Sequence, residues 1–62
     1  MTYSLQQAIV NQHYITIRAL KDAGFDVTIF DRFGQIVARS YYGTLKQAKQ
    51  CYYRYRRRAE TL

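Results

Sequence analysis

A chain of 62 residues with a single cysteine has to fold around one small hydrophobic core. Cys51 has no partner for an internal disulfide, and His13 has no second His or Cys nearby in sequence with which to hold zinc. A chain of this length buries only about 60% of the surface that its unfolded form exposes. The sequence therefore predicts one small domain over residues 1–62, with no cofactor and no deep pocket.

The apolar runs of the chain are short, as in Ile36-Val37-Ala38. Runs of this length exclude a transmembrane helix and the apolar segment of a secretory signal. Together with the single cysteine, they predict a soluble cytoplasmic protein without a membrane span.

The net charge of +6 is concentrated at the C-terminal end. Residues 1–44 carry four basic and three acidic side chains, a net charge of +1, whereas residues 45–62 carry six basic and one acidic, a net charge of +5. An excess of this size indicates a polyanionic partner, which is a nucleic acid, an anionic membrane surface or an acidic protein surface.

A long helix is predicted over residues 45–59. Thr44 and Gln47 have the spacing of a capping box, in which a hydroxyl and a Gln side chain satisfy backbone N–H groups of the first turn. Apolar and aromatic residues then recur at spacings of three and four, which places them on one stripe. The stripe consists of Leu45, Ala48, Tyr52, Tyr55 and Ala59.

The same capping signature at Ser4 and Gln7 predicts a second helix at the N-terminus. A β-hairpin is predicted between the helices, with strands at residues 25–30 and 35–41. Asp31 at the start of their link and Gly34 at its end suit a type I turn followed by a residue with positive φ.

Residues 12–20 have two interpretations. With a period of two, Ile15, Ile17 and Ala19 share one face of a strand, and the density of β-branched residues favours this choice. With a helical period, the N-terminal helix continues to about Ala23 and Gly24 caps it. The predicted fold is α+β, a small antiparallel sheet between an N-terminal helix and a long basic C-terminal helix, as αβββα with three strands or αββα with two.

One face of the predicted sheet supplies the core and the other is open. The expected core comprises Ile15, Ile17, Phe25, Val27, Ile29, Ile36 and Ala38 from the sheet and Leu5, Ile9, Leu45, Ala48 and Tyr52 from the helices. The open face collects Tyr14, Arg18, Thr28, Phe30, Val37, Arg39 and Tyr41.

The strongest candidate for function is the segment 51–58, in which arginines alternate with tyrosines. Guanidinium groups bind phosphate in a bidentate way, and an exposed Tyr offers a stacking plane and a hydroxyl. The candidate contacts are Tyr53, Arg54, Arg56, Arg57 and Arg58, with Lys46 and Lys49 one turn apart at the helix start. The alternative is a solvated helix end, in which arginines favour the C-terminal dipole.

The open sheet face offers a second candidate surface. Arg18, Arg39 and Tyr41 on this face would resemble the aromatic and basic sheets on which single-stranded RNA stacks. Such a face can equally bury itself in a homodimer or against a protein partner. Phe33, at the tip of the hairpin, is expected to fold back on the sheet, with an anchor in a partner as the alternative.

No catalytic site is expected. His13 has no Ser, Cys or carboxylate placed to complete a nucleophile and base, and Cys51 lies one residue before the predicted core residue Tyr52.

The run from Gly34 to Ala38 and the joint Gly43-Thr44 leading into the helix resemble the last strand and second helix of the double-stranded-RNA-binding domain. Ala48 and Lys49 match that family's Lys-Lys-x-Ala-Lys motif, whereas Leu45 stands at its first lysine and its Gly-Pro-x-His loop is missing. The same joint is similar to ethylene-response-factor and integrase arm-binding domains, in which three strands enter the DNA major groove. These resemblances imply αβββα or a three-stranded sheet with a helix, and a nucleic-acid partner.

The sequence thus predicts a small non-enzymatic protein that binds DNA or RNA through its basic C-terminal helix. The alternative is a protein-binding regulator or inhibitor, of the kind that phages and mobile elements encode, whose Tyr and Arg side chains dock on an acidic or nucleic-acid-binding surface.

Overall fold

The computed structural model describes residues 3–62, which form a four-stranded antiparallel sheet and one helix. Consecutive strands are neighbours, so the sheet is a simple meander in the order β1-β2-β3-β4. The elements are β1 (Tyr3–Val10), β2 (His13–Leu20), β3 (Gly24–Phe30), β4 (Ile36–Tyr42) and α1 (Leu45–Ala59).

The prediction of an N-terminal helix is wrong, and with it both αβββα and αββα. Residues 3–10 form β1, which pairs with β2 so that Ala8 lies opposite Ile15 and Ile9 opposite Tyr14. An isolated helix of this length is marginal in water, whereas β2 supplies a full set of hydrogen-bond partners along its edge. The strand interpretation of residues 12–20 is confirmed, and the observed order is ββββα.

The turn between β1 and β2 consists of two residues with positive φ, Asn11 at 50° and Gln12 at 64°. Two such residues form the type I′ turn, whose twist matches that of a tight hairpin. Asn11 has a second role, because its Nδ2 donates hydrogen bonds to the carbonyl oxygens of Ala59, at 3.2 Å, and Leu62, at 2.6 Å. The first turn of the chain therefore caps the C-terminal end of α1.

Replacing Gln12 with Gly is expected to stabilise the protein by about 0.5–1 kcal/mol. A side chain in the left-handed region costs about 1–2 kcal/mol, part of which is offset by the greater freedom of Gly in the unfolded chain. The substitution loses only an exposed 3.4 Å hydrogen bond from Arg32. Urea unfolding measures the change, and a lower midpoint for Gln12→Gly would contradict the positive φ.

The predicted hairpin is confirmed as β3 and β4. Gly34 has a φ of 81°, its N–H donates to the carbonyl of Asp31 at 3.0 Å, and the Asp31 carboxylate accepts from the N–H groups of Phe33 and Gln35 at 2.9 Å. Phe33 does not fold back on the sheet as expected: it is 73% exposed, with the Arg32 guanidinium 4.9 Å from its ring centroid.

The predicted helix is also confirmed, with the expected bounds. The Thr44 hydroxyl accepts from the N–H of Gln47 at 3.3 Å. The helix packs on one face of the sheet, where the two central strands contribute most of the core. The buried residues are Ile15, Ile17, Val27, Ile29, Ala48, Cys51, Tyr52 and Ala59, with Ala8, Val10, Phe25, Ala38, Tyr42, Leu45 and Tyr55 packed around them.

Three residues predicted in the core are exposed instead. In the strand β1, Ala8 and Val10 pack against the core in place of Leu5 and Ile9, and Ile9 is 77% exposed. Ile36 pairs with Phe30 next to an irregularity in the register of β3 and β4, and this pairing leaves it exposed.

Candidate nucleic-acid interface

The helix α1 buries one side and leaves the other open to solvent. Ala48, Tyr52 and Ala59 are buried against the sheet, and they recur at the spacing of one face of a helix. Because a helix turns by about 100° per residue, the position of every other side chain around α1 follows from this buried face.

The six cations of α1 are spread around its exposed half. Lys46 and Arg57 lie opposite the core, together with the polar side chain of Gln50. Lys49 and Arg56 lie on the flank toward β1, and Arg54 and Arg58 lie on the flank toward β4. Around the helix axis, the cations span an arc of about 200°, which runs from Arg56 through Arg57 to Arg58.

On the flank toward β4, Arg54 contacts the sheet. Its Nη2 donates to the Tyr42 hydroxyl at 3.3 Å. The closeness of Cys51, and then that of Tyr42, raises the pKa of the Arg54 guanidinium above its ordinary value. Like other arginine side chains in proteins, Arg54 stays positively charged.

On the opposite flank, Tyr53 and Arg56 lean toward β1. The Tyr53 hydroxyl lies 3.5 Å from Nε2 of Gln6, and the Arg56 guanidinium lies 5.8 Å and 5.9 Å from the ring centroids of Tyr52 and Tyr53. Cation–π contacts at this distance orient a guanidinium without consuming its hydrogen-bond donors. Tyr53, Arg56, Arg57 and Glu60 line a shallow depression there.

The helix cations have no carboxylate partners among residues 3–62, where Asp26 makes the ion pairs, both with cations of the sheet. Glu60 is the single acidic residue of the segment 45–62. The segment therefore keeps a net charge of +5 that its own side chains do not neutralise. Such a surface attracts an anion that can spread its charges over about 20 Å of helix.

Two of the three tyrosines of α1 belong to the core. Tyr52 is buried, and Tyr55 is half-buried with its hydroxyl 2.9 Å from that of Ser40. Burial raises the pKa of both phenols, so both remain neutral. Tyr53, 47% exposed, is the aromatic ring of α1 that a ligand can reach.

The predicted site residues lie on two opposite faces of the protein. Lys46, Lys49, Tyr53, Arg54, Arg56, Arg57 and Arg58 are on α1, whereas Arg18, Arg39 and Tyr41 are on the far side of the sheet. A single flat ligand cannot contact both sets. Gln50 and Tyr42 were not predicted, although the helical phase of Gln50, four residues after Lys46, is a signal that could have identified it.

On the far face, Arg18 and Arg39 are bound to a buried carboxylate. Asp26 is 2% exposed, and its Oδ2 accepts a hydrogen bond from Nη2 of Arg18 at 3.1 Å. The same Oδ2 forms an ion pair with Nε of Arg39 at 3.1 Å, and that Nε donates its hydrogen bond to the Thr28 hydroxyl at 3.2 Å. Oδ1 of Asp26 accepts from the Thr28 hydroxyl. These two arginines therefore stabilise the sheet, and any contact to an external phosphate would compete with Asp26.

Replacing Asp26 with Asn is expected to destabilise the protein by on the order of 2 kcal/mol, because two arginines lose their shared buried counter-charge. Thermal unfolding measures the loss. Asp22→Asn is the matched control, because Asp22 lies exposed in the turn between β2 and β3 and should change stability by less than about 0.5 kcal/mol. Equal effects of the two substitutions would contradict the role of Asp26.

The far face also carries an apolar row beside polar residues such as Gln7 and Thr16. The rings of Tyr14 and Phe30 lie 5.9 Å apart, and their neighbours across the strands, Ile9 and Ile36, are exposed on the same face. Tyr41 is exposed nearer the other end of this face. No other element among residues 3–62 covers it.

The groups considered for other chemistry are placed as follows. Cys51 is buried, and Nδ1 of His13 lies 2.8 Å from the carbonyl oxygen of Asn11. No three His, Cys, Asp or Glu side chains of residues 3–62 are grouped so that they could hold a metal ion. Over the same residues, no helix has the length and apolar character needed to cross a membrane.

Comparisons of the chain with protein-family models, with curated proteins and with solved structures return no match.

Proposed function

We propose that this chain is a small non-enzymatic nucleic-acid-binding protein, and that it binds the phosphate backbone through the exposed half of α1. The observation that carries the proposal is the set of six helix cations, which have no carboxylate partners among residues 3–62. Phosphate contacts from Lys and Arg supply most of the affinity of such proteins. A cytoplasmic location is part of the proposal, since nucleic acid is abundant there.

Binding is expected to weaken steeply with salt. Four to six phosphate contacts on duplex DNA give a log–log slope of about −4 to −5, because each contact contributes about 0.9 through counterion release. Gel shifts of a labelled 20-base-pair duplex over a series of salt concentrations measure this slope. Absence of binding to duplexes and single strands at low salt would overturn the proposal.

Glu60→Gln provides a variant that should gain affinity. Glu60 is the acidic residue that lines the depression beside Arg56 and Arg57. Its removal leaves those two cations in a more positive field, so the dissociation constant is expected to fall several-fold at low salt and to change little at high salt. Asp22→Asn removes the same charge away from α1 and serves as the control.

A second candidate function is that of a protein-binding regulator or inhibitor of the phage or mobile-element type. The open far face favours it, because Ile9, Tyr14, Phe30 and Ile36 form one row across the four strands there, exposed at both ends, which a protein partner or a second copy of the chain could bury. A pull-down with and without nuclease separates the two functions. A partner retained after digestion, without any shift of free nucleic acid, would support the regulator.

A further inference from the structure

We propose that the nucleic acid is duplex DNA in the B form and that the exposed half of α1 lies in its major groove. This inference rests on the proposed function and names the class of ligand and the way in which it is bound.

The cations of α1 are distributed over both flanks of the helix. Lys49 and Arg56 lie on one flank, and Arg54 and Arg58 lie on the other. A helix that crosses a single phosphate strand needs cations along one stripe only. The major groove is bordered by phosphates on both sides and is about 12 Å wide, which admits one α-helix. Cations on both flanks fit that geometry.

Between the two flanks, α1 has a stripe of residues that points away from the sheet. Lys46, Gln50 and Arg57 occupy it, and their side chains are exposed. Lys and Arg bind the O6 and N7 acceptors of guanine, and Gln binds N6 and N7 of adenine. The side chains that would meet the floor of the groove are therefore ones that can bind base edges there.

The length of the basic surface is also suitable. From Lys46 to Arg58 the helix rises by about 18 Å, which corresponds to about five base pairs. The sheet packs on the opposite side of α1, along the buried residues Ala48, Tyr52 and Ala59, so the exposed half can enter the groove without the strands.

Two other classes of nucleic acid fit less well. The major groove of A-form RNA is deep and narrow, and side chains do not read it. Single strands are bound by several aromatic rings on which successive bases stack. On the exposed half of α1, Tyr53 is the aromatic side chain available, and Tyr41 lies on the far face of the sheet.

The test compares ligands for the full chain at one low salt concentration. The probes are a 20-base-pair DNA duplex, the same duplex with every cytosine replaced by glucosylated 5-hydroxymethylcytosine, the corresponding RNA duplex and each single DNA strand. Glucose groups fill the major groove and leave the phosphate charge unchanged. We expect the unmodified DNA duplex to bind at least about tenfold more tightly than each of the other probes. A minor-groove ligand should not compete.

Failure of this inference differs from failure of the proposed function. DNA binding that is insensitive to glucosylation, or equal binding to the RNA duplex or to a single strand, would overturn the major-groove inference and leave the proposed function intact. Absence of binding to every probe would overturn both.

Discussion

Replacing Arg54, Arg56, Arg57 and Arg58 together with Gln is expected to lower the affinity for duplex DNA by roughly a thousandfold at about 0.1 M salt. Arg54, Arg56 and Arg58 each contribute about 0.9 logarithmic units of affinity through a phosphate contact at that salt concentration, about 2.7 units together, and Arg57 adds the loss of its contact in the groove. The salt slope should become shallower by about 3 at the same time, because three phosphate contacts are lost. Fluorescence anisotropy over a salt series measures both quantities.

The fold should survive these substitutions. Gln has nearly the helix propensity of Arg, and the loss of favourable charge near the helix C-terminus costs only a few tenths of a kcal/mol per residue. Circular dichroism and the melting temperature check this.

Two double variants, each of which removes two positive charges, separate the effect of the helix surface from that of net charge. Lys21 and Arg32 are exposed in turns between strands and lie outside α1, so Lys21→Gln with Arg32→Gln should lower affinity much less than the loss of two helix cations. Arg54→Gln with Arg57→Gln removes the same two charges and should lower affinity by more than tenfold at about 0.1 M salt. Equal losses in the two pairs would mean that net charge, and not the helix surface, governs binding.

Replacing Ile17 with Ala is expected to cost about 2–5 kcal/mol of the free energy of unfolding. Ile17 is 0% exposed in the central strand β2, beside Val27 and below α1. A domain of this size has a total stability of about 3–9 kcal/mol, so the variant should lose a large fraction of it and melt about 10 °C or more below the parent protein. Urea denaturation followed by circular dichroism gives the loss.

Ile9→Ala removes the same atoms and is the matched control. Ile9 is exposed in β1, opposite Tyr14, so the change should stay within about 0.5 kcal/mol. The control also separates the observed strand from the predicted N-terminal helix, in which Ile9 belongs to the core. A cost for Ile9→Ala close to that of Ile17→Ala would contradict the position of β1.

The two ends of the chain show where prediction of secondary structure from sequence succeeds and where it fails. The bounds of α1 follow from Thr44 and from a stripe at helical spacing, both of which are local signals. At the N-terminus, Ser4 and Gln7 give the same local signal, yet Asn11 and Gln12 fold the chain back onto β2. An Asn-Gln pair is a weak turn signal compared with Asn-Gly, so the hairpin could not be recognised from these two residues.

The candidate site also has one part that the sequence identifies and one part that depends on the tertiary structure. The sequence identifies the basic residues of α1, and the helical period already separates them from Tyr52 and Ala59. It gives no sign that Arg18 and Arg39 share one carboxylate, because Asp26 comes between them only when β2, β3 and β4 lie side by side. This pairing commits two of the predicted contacts to the sheet.

By itself, the sequence determined the helix over residues 45–59, the hairpin turn at Asp31 and Gly34, and the concentration of positive charge at the C-terminal end. Each of these depends on residues a few positions apart, whose backbone preferences and spacing act locally. The tertiary structure alone decided that residues 3–10 form an edge strand, that Asn11 caps the far end of α1, and that Asp26 holds two arginines. Those outcomes depend on strand pairing and packing between distant residues, whose free energy exceeds the small local preferences that the sequence displays.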